Sequence, residues 1–176
     1  IVNDVDYVHA LRQFIAEENT HGEMLGKYLD AWNFPRLQQT WTDNGFRWVR
    51  HLSGLELALS VLVTAEVIAM VYYAALRKAS RCVVLRELCE QILDDEVYHL
   101  HFQGVRLGCL QRSRSQFGIR CTTVAMTGML EAAGRLVWST HRPVFQRARL
   151  PFTEYRHRLH RHGAMFQGII AIEREA

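Results

Sequence analysis

Two short segments, Glu18-Asn19-Thr20-His21 and Glu96-Val97-Tyr98-His99, share the pattern Glu-x-x-His. On a helix, residues three apart lie on one face, so each pattern aims a carboxylate and an imidazole at a common point. A third glutamate, Glu66, is the only charged residue between positions 57 and 76. Two helices each carrying Glu-x-x-His, with a lone glutamate on each of two others, can hold two metal ions in a bundle core. The residue types suit that chemistry. Carboxylates neutralise two neighbouring cations and can bridge them, and one imidazole per ion leaves a coordination position open. Without a cation, three glutamates on apolar seams would be buried anions, each costing several kcal/mol. The expected metal ligands are therefore Glu18, His21, Glu66, Glu96 and His99. A salt-bridged or protonated core is the plainer alternative, since one Glu-x-x-His on a helix is usually a solvated pair.

The elements that would carry these residues are all helical. Apolar spacing by three and four predicts a first helix over 3–31, with a seam of Val8, Leu11, Ile15, Gly22, Leu25 and Leu29 and with Glu18 in the middle of it. Asn33-Phe34-Pro35 should end it. A shorter helical segment is expected over 35–50 and a long apolar helix over 53–79. The latter is long enough to span a bilayer. A glutamate at its midpoint would be costly in lipid, so burial inside a bundle is expected instead, with no membrane span. A helix over 82–110 has the seam Leu85, Leu88, Ile92 and Phe102, interrupted by Glu96 and His99. A polar turn at 111–115 leads to a helix over 116–140, with Val124, Met129, Leu130 and Val137 as core candidates. Pro143 and Pro151 bracket a break, and a last helix over 153–172 is expected to start at a partial capping box of Thr153 and Arg156.

The chain has 176 residues, enough for one domain with a sizeable core. Strand-like alternation is absent, so the fold class is all-α. The formal charge of +3 is too mild to argue for nucleic acid. The cysteines Cys82, Cys89, Cys109 and Cys121 form no Cys-x-x-Cys pair, which argues against a thiolate zinc or rubredoxin-like site, and reduced thiols are expected. No phosphate-binding glycine loop and no Ser/His/Asp arrangement appears.

Glu17-Glu18-Asn19-Thr20-His21-Gly22, followed by Leu25, Lys27, Tyr28 and Leu29, resembles the first metal motif of the soluble acyl-carrier-protein desaturases. Asp95-Glu96-Val97-Tyr98-His99 is similar to that family's Asp-Glu-x-x-His, and the likeness covers 14–106. It implies a ferritin-like antiparallel helical bundle with additional C-terminal helices, forming a single domain over 1–176. It also implies a di-iron centre, with manganese as the alternative metal, that activates oxygen on a fatty-acyl or other apolar substrate. Asp95 would orient a ligand histidine. A ferredoxin-like electron donor, an acyl carrier protein, a homodimeric assembly and a cytoplasmic location are the matching expectations.

Two departures stand out. The family has a further carboxylate on a helix preceding the first motif. Either a helix upstream of Ile1 supplies it, or a later residue does, for which Glu131 is the candidate. The family also places a threonine three residues after its lone glutamate, where this chain has Ala69. Iron handling or peroxide removal, as in ferritins and rubrerythrins, would use the same ligands. A metal-free helical interaction module is the third reading.

The run from Arg156 to His162 is basic and histidine-rich, either a solvated face or a docking surface for an acidic partner. Within it, His157 and His160 could hold a surface metal. His9, His51 and His141 are expected to be structural, and Trp32, Trp41, Trp48 and Trp138 to serve packing.

Overall fold

A computed structural model describes residues 5–36 and 54–176. The segment expected over 35–50, with Trp41, Trp48 and the nearby His51, lies almost wholly outside the described residues. Among those described there are helices and no strands, as the spacing predicts. The helices are α1 (Val5–Ala31), α2 (Leu55–Ala79), α3 (Val83–Gln111), α4 (Gln116–Thr140), α5 (Arg142–Arg147) and α6 (Phe152–Glu175). The chain divides into two compact units, Ile1–Thr40 and Trp41–Ala176.

The first unit is α1. Its buried residues are Phe14, His21 and Gly26, and Tyr7, Leu11, Glu18, Leu25 and Tyr28 are partly covered. The seam is thus Tyr7, Leu11, Phe14, Glu18, His21, Leu25 and Tyr28, one residue off the expected line at several steps. Val8 and Ile15 are exposed instead. Adjacent residues differ by about 100° around a helix, and the larger Phe14 takes the covered side. The corrected seam holds both members of the first Glu-x-x-His. Asn33 ends the helix in the left-handed region (φ 54), and the Phe34 amide donates to the Leu29 carbonyl at 2.9 Å, closing the last turn. Trp32 is exposed, contrary to the packing role expected of it.

The second unit is a bundle built around α2. This helix packs on α3, α4, α5 and α6, while α6 also packs on α3 and α4. Ten of its residues are buried, Glu66 among them. Its buried hydroxyls are satisfied locally: Ser60 and Thr64 donate to the carbonyls of Glu56 and Ser60 at 2.7 and 2.8 Å. By length and composition α2 could cross a membrane, and half of its apolar window is buried inside the molecule.

Short connections at 80–82 and 112–115 join α2 to α3 and α3 to α4. The second ends in Ser115, whose hydroxyl accepts from the Gly118 amide at 3.2 Å and caps α4. In α4 the buried residues are Ile119, Met126, Leu130 and Gly134. Val124, expected in the core, is 72% exposed and lies half a turn from the buried Met126. Between the prolines the chain forms the short α5 rather than a plain break. The N-cap of α6 is Pro151, not Thr153. Thr153 sits inside the first turn, and proline, lacking an N–H, suits the boundary itself.

Below these junctions an aromatic cluster locks α4, α5 and α6 together. Trp138 stacks on the fully buried Phe145 with centroids 4.8 Å apart, and Tyr155 lies 4.7 Å from Phe145. The Tyr155 hydroxyl donates to the Gly134 carbonyl at 2.9 Å, and burial holds this phenol well above its ordinary range.

The close crossing of α3 and α6 depends on glycine. A Cβ on Gly108 would fall 2.6 Å from the Glu173 Cβ and 2.9 Å from the Ile170 carbonyl oxygen. Backbone cannot swing aside as a side chain can, so Gly108→Ala should overpack the crossing. The loss should be about 1–3 kcal/mol despite the better helix propensity of alanine, read as a lower urea midpoint in equilibrium unfolding. Gly128→Ala, which meets nothing within 4 Å, is the matched control and should not destabilise the protein.

Candidate metal centre

Within the second unit, α2 contributes Glu66 and α3 contributes Glu96 and His99. One ligand atom from each lies within 4.8 Å of the others. All three residues are buried, with exposures of 4%, 4% and 3%. The helix period explains the selection on α3. Ile92, Glu96, His99 and Gln103 form one buried line, while Val97 and Tyr98 between them face outward. His99 Nδ1 is 3.6 Å from Glu96 Oε2, too long for a hydrogen bond but consistent with two donors facing one point. Asp95, beside Glu96, is half-buried.

Gln103 belongs to this cluster and was not anticipated from sequence. The apolar spacing puts the seam through Phe102, its neighbour. Gln103 is 1% exposed, and its side-chain amide donates to Glu66 Oε1, tying α3 to α2. The available signal was its spacing, four residues beyond His99 and seven beyond Glu96.

On α1 the other Glu-x-x-His is formed as expected. His21 Nδ1 and Glu18 Oε1 are 3.7 Å apart, with the imidazole buried and the carboxylate about two-fifths exposed.

Glu131 is engaged elsewhere. Its carboxylate accepts from Arg156 Nε at 2.6 Å and pairs with Arg135 at 3.3 Å and with His160. Desolvation raises its affinity for a proton, but the Arg156 and His160 hydrogen bonds and the arginine charges outweigh it and hold the carboxyl below its ordinary range. A carboxylate saturated by cations is a poor metal ligand, and among the described residues Glu131 joins no group of convergent ligand atoms. His160 is committed to this ion-pair cluster, which binds α6 to α4, while His157 is exposed.

Cysteine supplies no donor here. None of the four cysteines is in a disulfide, and burial pushes the Cys89 thiol up to about 11, so it stays protonated and a weak ligand.

Two carboxylates and one imidazole, buried and converging, form an oxygen- and nitrogen-rich donor set that fits iron, manganese or zinc. The described residues are thus helical and strand-free, and they include a buried Glu/His group that could hold a metal ion. Comparison with protein-family models, curated proteins and solved structures found no match.

Proposed function

We propose that this protein is a ferritin-like di-iron carboxylate oxidoreductase that activates oxygen on a fatty-acyl or other apolar substrate. The observation that carries the proposal is the convergence of Glu66, Glu96 and His99 inside the second unit, with ligand atoms within 4.8 Å of one another. A structural role alone is a poor reason for two carboxylates so close together out of water. Glu18 and His21 are proposed as further metal ligands on their sequence pattern alone, which repeats that of Glu96 and His99. Asp95 is proposed to orient a ligand histidine.

Bound iron would supply the redox chemistry needed to attack an unactivated C–H bond. The chain's own residues do the rest. Glu66 and Glu96 provide negative charge that neutralises the ions, and His99 provides a neutral nitrogen donor. The apolar packing of α2 keeps bulk water from the centre. A ferredoxin-like electron donor, an acyl carrier protein, a homodimeric assembly and a cytoplasmic setting belong to this reading. A second reading, iron handling or peroxide removal, uses the same ligands. Ala69, which puts no hydroxyl three residues after Glu66, weighs against ordinary desaturation and toward a metal-free helical module.

The test is metal content. Protein loaded anaerobically with iron(II), then desalted, should retain two irons per chain and develop near-ultraviolet absorption on exposure to air. Anomalous scattering at the iron and manganese edges should place both ions beside Glu66, Glu96 and His99. Turnover of peroxide without oxidation of acyl substrates would select the second reading. Protein that retains no metal would leave a helical interaction module.

A further inference from the structure

Gln103 calls for an account that packing does not provide. Its position on the buried line of α3 would suit leucine or methionine, yet the residue is a glutamine with 1% exposure. Its amide nitrogen donates to Glu66 Oε1 on the neighbouring helix. Its Oε1 is buried and accepts no hydrogen bond from any described residue. The reversed amide would set two acceptor oxygens against each other, so the hydrogen bond itself fixes the orientation. The two ends of a side-chain amide are roughly 2.2 Å apart from bond lengths alone. Oε1 therefore lies within roughly 5 Å of Glu66 Oε1.

We infer that Gln103 is a positioning residue of the metal centre, its amide N–H orienting Glu66 and its carbonyl oxygen serving as acceptor for a proton-bearing ligand of the ion, water being the simplest. This rests on the metal reading above. A donor N–H complements the negative charge of Glu66 and restricts its rotation, so the carboxylate meets a cation already aimed. A buried amide oxygen is tolerated when a ligand of the ion donates to it. An apolar residue would remove both effects while filling the same space.

Cobalt(II) is the probe, because its visible ligand-field bands report the donor set without turnover. Titrated into metal-free protein, Gln103→Leu should bind cobalt about 10–100-fold more weakly than wild type. Its bands should be shifted, a change that loss of a merely structural hydrogen bond would not produce. A lower metal-free melting temperature with cobalt affinity within twofold of wild type would make Gln103 merely structural and overturn the inference. Should Gln103→Leu fail to fold, Gln103→Glu decides. An added carboxylate beside Glu66 should lower the metal-free melting temperature and enlarge the rise produced by cobalt. A rise equal to that of wild type would overturn the inference. Glu66→Gln separates the two levels. If wild type and Gln103→Leu bind alike while Glu66→Gln does not bind, the positioning role fails and the metal centre stands. If wild type itself binds no cobalt, both fail.

Discussion

Stripped of metal by a chelator, Glu96→Gln is expected to melt at a higher temperature than stripped wild type, and to gain nothing when iron(II) is added. The argument is Coulombic. Glu66 and Glu96 present oxygens within 4.8 Å of one another, and both residues are buried. At an effective dielectric near 20, two like charges at that separation repel by on the order of 3 kcal/mol. Glutamine keeps the shape and removes the charge, so the metal-free fold should relax. The opposite sign applies with metal present. Binding to the native state alone stabilises it by about 2.7 kcal/mol at a ligand concentration of 100 times Kd. Removing a carboxylate ligand should abolish that increment. The crossing of these two effects is the signature sought: more stable without metal, less stable with it. Differential scanning calorimetry of four samples, each protein with and without iron(II), reads it directly. A Glu96→Gln variant destabilised equally in both conditions would show that Glu96 is only a structural group, and the metal proposal would lose its support.

Phe145→Ala should produce the largest loss of stability in the second unit, about 3–5 kcal/mol. Phe145 is fully buried on the short α5, where it meets Trp138, Tyr72 and Tyr155 with centroids 4.8, 6.1 and 4.7 Å away. It joins side chains from three other helices, so no contact within α5 can replace it. Truncation would leave a cavity against rigid rings that collapse poorly. For a chain of this size the fall in Tm should be roughly 10 °C, measured by circular dichroism. Val124→Ala, on the exposed face of α4, should change stability by no more than about 0.5 kcal/mol. Equal losses at the two sites would refute the placement of the core.

Much of the framework was legible from the residues alone. The bounds of α4 fall where the polar turn and the apolar spacing put them, at Gln116–Thr140, and those of α2 and α3 fall within a residue or two of expectation. Helix ends are written in local chemistry: Asn33 at the end of α1, Ser115 as a hydroxyl cap, and prolines where N–H groups are dispensable. Seams were less legible. Leucine, valine and isoleucine occupy both faces of these helices, so apolarity alone left Val8 and Ile15 competing with Tyr7 and Phe14, and Phe102 with Gln103. A rotation of about 100° separates each pair of choices.

The candidate site divides the same way. The two Glu-x-x-His patterns and the isolation of Glu66 are properties of the linear chain, because residues three apart share a face in any helix. Whether Glu66 on α2 meets Glu96 and His99 on α3 depends on how far each helix is rotated toward the other, which no local hydrogen bond specifies. Only the folded unit settled that meeting, added Gln103 to it through a bond between helices, and gave Glu131 to Arg156, Arg135 and His160. Backbone bonds within four residues make each helix, whereas packing between distant segments decides which of its side chains converge.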